Sequence, residues 1–267
     1  MNIIGKIELP PREVRINLER YRDFLLSKMT EIQQEVNGQY GQILDREAVI
    51  EMAGNPDVII DKERLKQQEE TWANEQYKDL ETWQADRSKN ASNIAEMTIT
   101  LILHKFLKDN FIVARASKYD DYNHGVDNVI IDKNTGSVIC GFDEVIGLDQ
   151  ERDGGEKKMK KVKNSLERGG TEIKYGATVV DGKIVRQSFR NIPTFYLAIS
   201  KPELNEVLVD LQKNDNMSEA TTRIFGQLIS SLEEQYEVFK NLDINNKVRN
   251  NLEKFASSLD SIKQLTI

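Results

Sequence analysis

Carboxylates stand at the ends of two apolar runs in HGVDNVIIDKNTGSVICGFDEV, residues 124–145. Asp127 opens the first run, and Asp143 and Glu144 close the second. Glu96 lies near the start of a third apolar stretch, IAEMTITLILHKFL. Converging carboxylates can hold one or two hard cations such as Mg²⁺ or Mn²⁺, which take oxygen ligands. An ion so held activates a water and neutralises charge on phosphorus, the chemistry of phosphodiester hydrolysis. A lysine beside the carboxylates would stabilise the charge that develops. Lys158, Lys161 and Lys174 follow downstream.

Each of these residues has a plainer reading. Asn93-Ile94-Ala95-Glu96 has the spacing of a helix capping box, with Asn in place of Ser or Thr. Asp127 follows Gly-Val and can cap a turn, although aspartate is disfavoured in an otherwise apolar strand. Asp143 and Glu144 are adjacent, so on a strand they point to opposite faces. One can face a site while the other meets solvent or a basic partner. Asp120-Asp121 could extend the acidic cluster, and its plainer reading is a solvated loop. His124 is a candidate phosphate contact or proton shuttle, or a loop histidine. His104, inside an apolar helix, reads as structural. Cys140 falls in mid-strand and reads as a small buried hydrophobe. Two histidines and one cysteine do not make a structural zinc site. No Gly-rich phosphate loop is present.

The elements that must position these residues follow from periodicity. Residues 11–36 carry Val14, Leu18, Tyr21, Leu25, Met29, Ile32 and Val36 at helical spacing, after Pro10 and Pro11. NGQYGQ (37–42) reads as a breaker, 45–53 as a short helix and 55–61 as a turn. Residues 62–88 read as one long charged helix anchored by Trp72 and Trp83. Residues 94–107 are apolar on nearly every face, which predicts a buried helix. FIVARAS (111–117), DNVIID (127–132) and SVICGFDEV (137–145) read as strands, with KNTG a hairpin turn between the last two. EKKMKKVKNSLER (156–168) reads as a basic helix ended by Gly169-Gly170. Asp181-Gly182 marks a second hairpin. TFYLAIS (194–200) reads as a strand buried on both faces. Residues 203–212 and 217–263 return to helix.

At these carboxylates the sequence resembles the PD-(D/E)XK nuclease superfamily. GVD (125–127) is similar to its aspartate motif, GFDEV (141–145) to its (D/E)-x-K strand, and Glu96 to its helix glutamate. The resemblance spans roughly residues 92–200. It implies an α/β fold with a restriction-endonuclease-like αβββαβ core and a mixed sheet. Helical segments at 1–91 and 201–267 would flank that core. It further implies a metal-dependent nuclease using Mg²⁺ or Mn²⁺, with Glu96, Asp127, Asp143 and Glu144 as metal ligands. Asp127, Asp143, Glu144, Lys158, Lys161 and Lys174 are the catalytic candidates. One departure is plain: the in-line lysine position falls on Val145 or Ile146. Either the lysine has moved to Lys157, Lys158, Lys160, Lys161, Lys163 or Lys174, or the fold serves as an inactive binding module.

Charge bears on the partner. The chain carries a net −7, yet residues 151–190 hold eleven Lys/Arg against six Asp/Glu. A local excess of +5 therefore sits beside −12 elsewhere. A basic helix there can track a phosphate backbone, making Lys157, Lys160, Lys161, Lys163 and His124 candidate contacts to DNA or RNA. The flanking helices are candidates to clamp substrate or to pair two copies of the chain. No run approaches the roughly 20 apolar residues of a membrane span. MNIIGKIELPPREV has no cleavable apolar core, and the single cysteine forms no internal disulfide. A cytoplasmic protein is the expectation.

Overall fold

A computed structural model describes residues 18–146, 152–213 and 218–263, with the backbone alone for 152–156. The helix start expected at Pro10-Pro11 and Val14 lies outside the described residues. β1 (Phe111–Arg115), β2 (Asn128–Asp132), β3 (Val138–Ile146) and β6 (Thr194–Ile199) form one sheet in the order β1-β2-β3-β6. β1/β2 and β2/β3 are antiparallel, whereas β3/β6 is parallel. The architecture is therefore α/β with a mixed four-stranded sheet. A parallel pair needs a crossover. Here that crossover holds α6 (Arg152–Glu167) and a separate antiparallel hairpin of β4 (Thr171–Val180) and β5 (Lys183–Ile192).

Three short apolar runs became the strands expected of them, since β-branched residues fill a pleated, buried surface. Ile112, Val113, Val129, Ile130, Ile131 and Ile139 are all buried. The apolar helix is α4 (Ala91–Leu107), whose Met97, Ile99, Ile102 and Leu103 are sealed from water. It packs against β1, β3 and helix α1 (Arg22–Tyr40). Truncating any such side chain to alanine costs about 2–5 kcal/mol. The flanking helices do not stand apart: Leu25, Leu103, Phe195 and Phe255 belong to one hydrophobic core.

Several local expectations gave way to tertiary contacts. α1 continues through Asn37-Gly38 to Tyr40 because Tyr40 is buried and Asn37 ties down the next segment. The Asn37 carboxamide donates to the Leu44 carbonyl and accepts from the Ile43 and Leu44 N–H groups. Residues 45–53 are not a helix. Asp45 accepts from the N–H groups of Glu47 and Val49, closing a turn that leads into bridges from Ile50 to Leu44 and from Val49 to Arg115. The turn expected at 55–61 gives way at Val58 to α2 (Val58–Glu75). The long charged helix is broken into α2 and α3 (Leu80–Lys89), since Tyr77 takes a positive φ and Asp79 caps Thr82. The C-terminal stretch is helical as expected, with α7 (Lys201–Lys213) covering 203–212 and the 217–263 stretch divided into α8 (Glu219–Phe239) and α9 (Asn246–Lys263).

The Asp120-Asp121 loop is in fact a helix, α5 (Lys118–His124). Ser117 caps it by accepting from the Asp120 N–H, and Gly125 ends it in the left-handed conformation, φ 63°. Asp120 is fully buried and bonds across to the hairpin, accepting from the N–H groups of Lys174 (2.7 Å) and Tyr175 (3.0 Å). α5 thus fixes the approach to Asp127 from outside the sheet.

Candidate active site

Asp127 sits between the α5 cap and the first residue of β2. Its backbone is held on both sides: its N–H donates to the Phe142 carbonyl, and its own carbonyl accepts from Ala116. Its Oδ2 accepts from the backbone N–H of Glu144 at 2.6 Å. Glu144 is aimed at the α4 face of the sheet. Its Oε1 accepts from Asn128 Nδ2 (2.7 Å), and Asn128 Oδ1 accepts from Thr100 Oγ1 of α4 (2.9 Å). Glu96, on α4, and Asp121, on α5, bring two further carboxylates to the same place.

Electrostatics report the crowding. Withdrawal from water, with Glu96 and Asp121 as like charges, pushes Asp127 up to about 8. Burial and Glu96 raise Asp121 to about 6, although Arg87 and Arg115 pull the other way. Glu144 lies well above the ordinary carboxylate range, through burial and then Asp127. Its Oε2 is buried with no donor. Carboxyls placed like this relieve their repulsion by sharing a proton or a cation.

Asp143 is elsewhere. It lies on the other face of β3, where it accepts from Lys158 (2.6 Å) and Lys161 (3.1 Å) of α6. Strand alternation separates it from Glu144, so the structure brings Glu144 and not Asp143 to Asp127. Lys158 and Lys161 are thereby engaged by Asp143. Lys174 is held by Asp57 (3.0 Å) and Asp61 (2.5 Å). His124 Nδ1 meets Asp120 Oδ1 at 3.0 Å. On α6, Lys157, Lys160 and Lys161 are exposed and Lys163 is half-buried. The capping-box reading of Glu96 falls too. Asn90 caps α4 by accepting from Asn93, leaving Glu96 free to bond Arg115 Nη2 at 2.7 Å.

The cations beside the cluster were missed in the sequence. Arg115 closes β1 and is buried; Glu96, Glu47 and Asp121 outweigh its burial and hold it charged. Arg87, on α3, pairs with Asp121 at 3.2 Å and lies over the Tyr122 ring at 4.3 Å. A signal for Arg115 existed: it is the one charge within the apolar run FIVAR. Arg87 carried none, because its partner Asp121 is 34 residues away in sequence, whereas Asp121 stood in an acidic pair that could extend the carboxylate cluster.

Glu96, Asp121, Asp127, Arg87 and Arg115 line one cleft of about 1320 Å³. Arg22, Arg46, Lys62, Lys66 and Lys118 line it as well. Carboxylate oxygens are the donors a hard cation takes. Among the described residues, however, no group of three or more Asp, Glu, His or Cys side chains is placed to hold a metal ion. Nor is any helix among them long and apolar enough to cross a membrane. No family model matches the sequence, and no curated protein or solved structure matches the chain.

Proposed function

We propose that this protein is a metal-dependent nuclease-like hydrolase acting on nucleic-acid phosphodiesters in the Asp127 cleft. The observation that carries the reading is the clustering of Asp127 with Glu144, Glu96 and Asp121 beside that cleft. The strand order β1-β2-β3-β6, with α4 before it and α6 in the crossover, agrees with an αβββαβ core of the restriction-endonuclease type. Mg²⁺ or Mn²⁺ bound by Asp127 and Glu144, with Asp121 and Glu96 adjoining, would supply water activation and charge neutralisation at phosphorus.

The chain's own residues do the positioning. The Glu144 N–H orients Asp127, and the Asn128–Thr100 chain orients Glu144. Arg115 and Asn93 fix Glu96 and the start of α4, since Arg115 Nη2 donates to both Glu96 Oε2 and Asn93 Oδ1. The cations around the cleft suit a polyanion. The test is cleavage of DNA and RNA with Mg²⁺ or Mn²⁺, comparing the wild type with Asp127→Ala. Loss of about 100-fold or more in the variant is expected for a group that holds the reaction's electrostatics. Equal rates, or no cleavage by either, overturn the assignment.

A second reading has its own support. Val145 and Ile146 occupy the in-line lysine positions and simply continue the parallel pairing to Ala198 and Ile199. On this reading the fold binds nucleic acid or a protein partner without cutting. Retained binding of an oligonucleotide by anisotropy, with no cleavage under either metal, would select it.

A further inference from the structure

Arg115 has more donors than the structure uses. Nη2 serves Glu96 and Asn93. Nε and Nη1 are buried and bond to nothing. The nearest acceptor charge to Nη1 is Glu47 Oε2 at 3.8 Å, too far for a hydrogen bond. A buried charged donor left unmet costs more than a neutral one, and Arg115 is only 8% exposed. The guanidinium is held in place by its Nη2 bonds to Glu96 and Asn93 and by burial, and the backbone that carries it is fixed on both sides. Its N–H donates to Ala48, and its carbonyl accepts from Ile50. Arg115 and Glu47 both line the Asp127 cleft, and so do Arg22, Arg46, Lys62 and Lys66. A planar fork with two spare N–H groups matches an oxyanion with two acceptor oxygens.

We propose that Arg115 binds a phosphate oxygen of a nucleic-acid strand in the cleft through Nε and Nη1, displacing the Glu47 carboxylate that now stands over it. The identity of the strand rests on the nuclease-like reading; the anion site rests on the geometry of Arg115. The residue supplies, from β1, the cation that Val145 and Ile146 do not. Glu47 is half-buried on the turn between α1 and α2 and can rotate outward, whereas Arg115 is tied to Glu96 and Asn93. Before substrate arrives, Glu47 repels other anions less well placed to replace it.

The test follows the Arg115 Nε–Hε resonance in arginine-labelled full-length protein, in chelator, titrated with inorganic phosphate and separately with dithymidine monophosphate. The peak is assigned from its absence in Arg115→Lys. A saturable shift by the dinucleotide is expected. Glu47→Ala should tighten that binding several-fold by removing the competing carboxylate. Arg115→Lys should weaken it by about ten-fold, the worth of one charge-assisted bidentate contact, while keeping a cooperative melt. No shift in the wild type, or undiminished binding by a folded Arg115→Lys, overturns the proposal. A shift with phosphate alone also overturns it, since the site then takes free anion and no strand. If Arg115→Lys does not fold, the wild-type titration and Glu47→Ala decide. A shifting Arg115 without any metal-dependent cleavage would retain the anion site and sink the nuclease reading. Cleavage at equal rates by wild type and Arg115→Lys, with no shift, would do the reverse.

Discussion

Asp127 Oδ2 accepts the backbone N–H of Glu144 at 2.6 Å, across the β2–β3 junction. That bond places the two carboxylates on the α4 side of the sheet and leaves Asp143 to α6. Its strain is electrostatic, since Asp127, Glu144, Asp121 and Glu96 crowd one another.

The crowding has a pH signature. Asp127 rises to about 8 and Asp121 to about 6 from an ordinary 3.8. The folded chain therefore holds these protons more tightly than the unfolded chain. The resulting stability is complete below about pH 4 and is lost as pH climbs through 6 and 8. Asp61 works in the opposite sense at low pH: against its burial, Lys174 and Tyr175 hold it below its ordinary value. Its stabilisation is lost as pH falls below about 4. Thermal unfolding in chelator should show the melting temperature falling between pH 5 and pH 8. Asp127→Asn should flatten that fall, and Mg²⁺ should restore the wild type at pH 8. A wild-type melting temperature that climbs steadily to pH 8 would contradict this account.

Asp143→Asn should separate the two faces of β3. It removes the charge that Lys158 and Lys161 meet, costing about 1 kcal/mol. Cleavage should stay close to wild type, in contrast to Asp127→Ala. A collapse of cleavage in a folded Asp143→Asn protein would place Asp143 in the reaction after all.

Asp120→Ala should be far more damaging than its place in a polar stretch suggests. It strands the Lys174 and Tyr175 N–H groups of β4 and the Ser117 hydroxyl. Orphaned buried donors cost about 1–3 kcal/mol each. Urea denaturation should show a loss of about 3 kcal/mol or more. Ser117→Ala, which removes a helix cap, should lose about 1 kcal/mol. Equal losses for the two would refute the hub role of Asp120.

Gly136→Ala should release the hairpin from the sheet. Gly136 has φ 68°, and a Cβ there would stand 2.1 Å from the Val179 carbonyl. Its own carbonyl accepts from Thr178 Oγ1. Hydrogen exchange should show faster opening around Thr178 and Val179, with a lower melting temperature. Unchanged protection there would mean that the hairpin is held by other contacts.

The sequence alone made most of the sheet legible. VIID, VICGF and TFYLAI are β-branched and aromatic runs set off by turn residues, so local chemistry and burial agree. It also marked Asp127 and Glu96, because carboxylates at the ends of apolar runs are out of place by local rules alone. It misjudged the stretches at 37–53 and 118–124. There, short-range propensity lost to partners distant in sequence: Tyr40 in the core, Val49 beside Arg115, Asp120 under β4. Tertiary structure alone decided between Asp143 and Glu144, because the two are neighbours whose faces depend on how β3 is placed between α4 and α6. It alone brought Asp121, Arg87 and Arg115 to the cluster, since charges meet through space and the chain's order does not record which will be near.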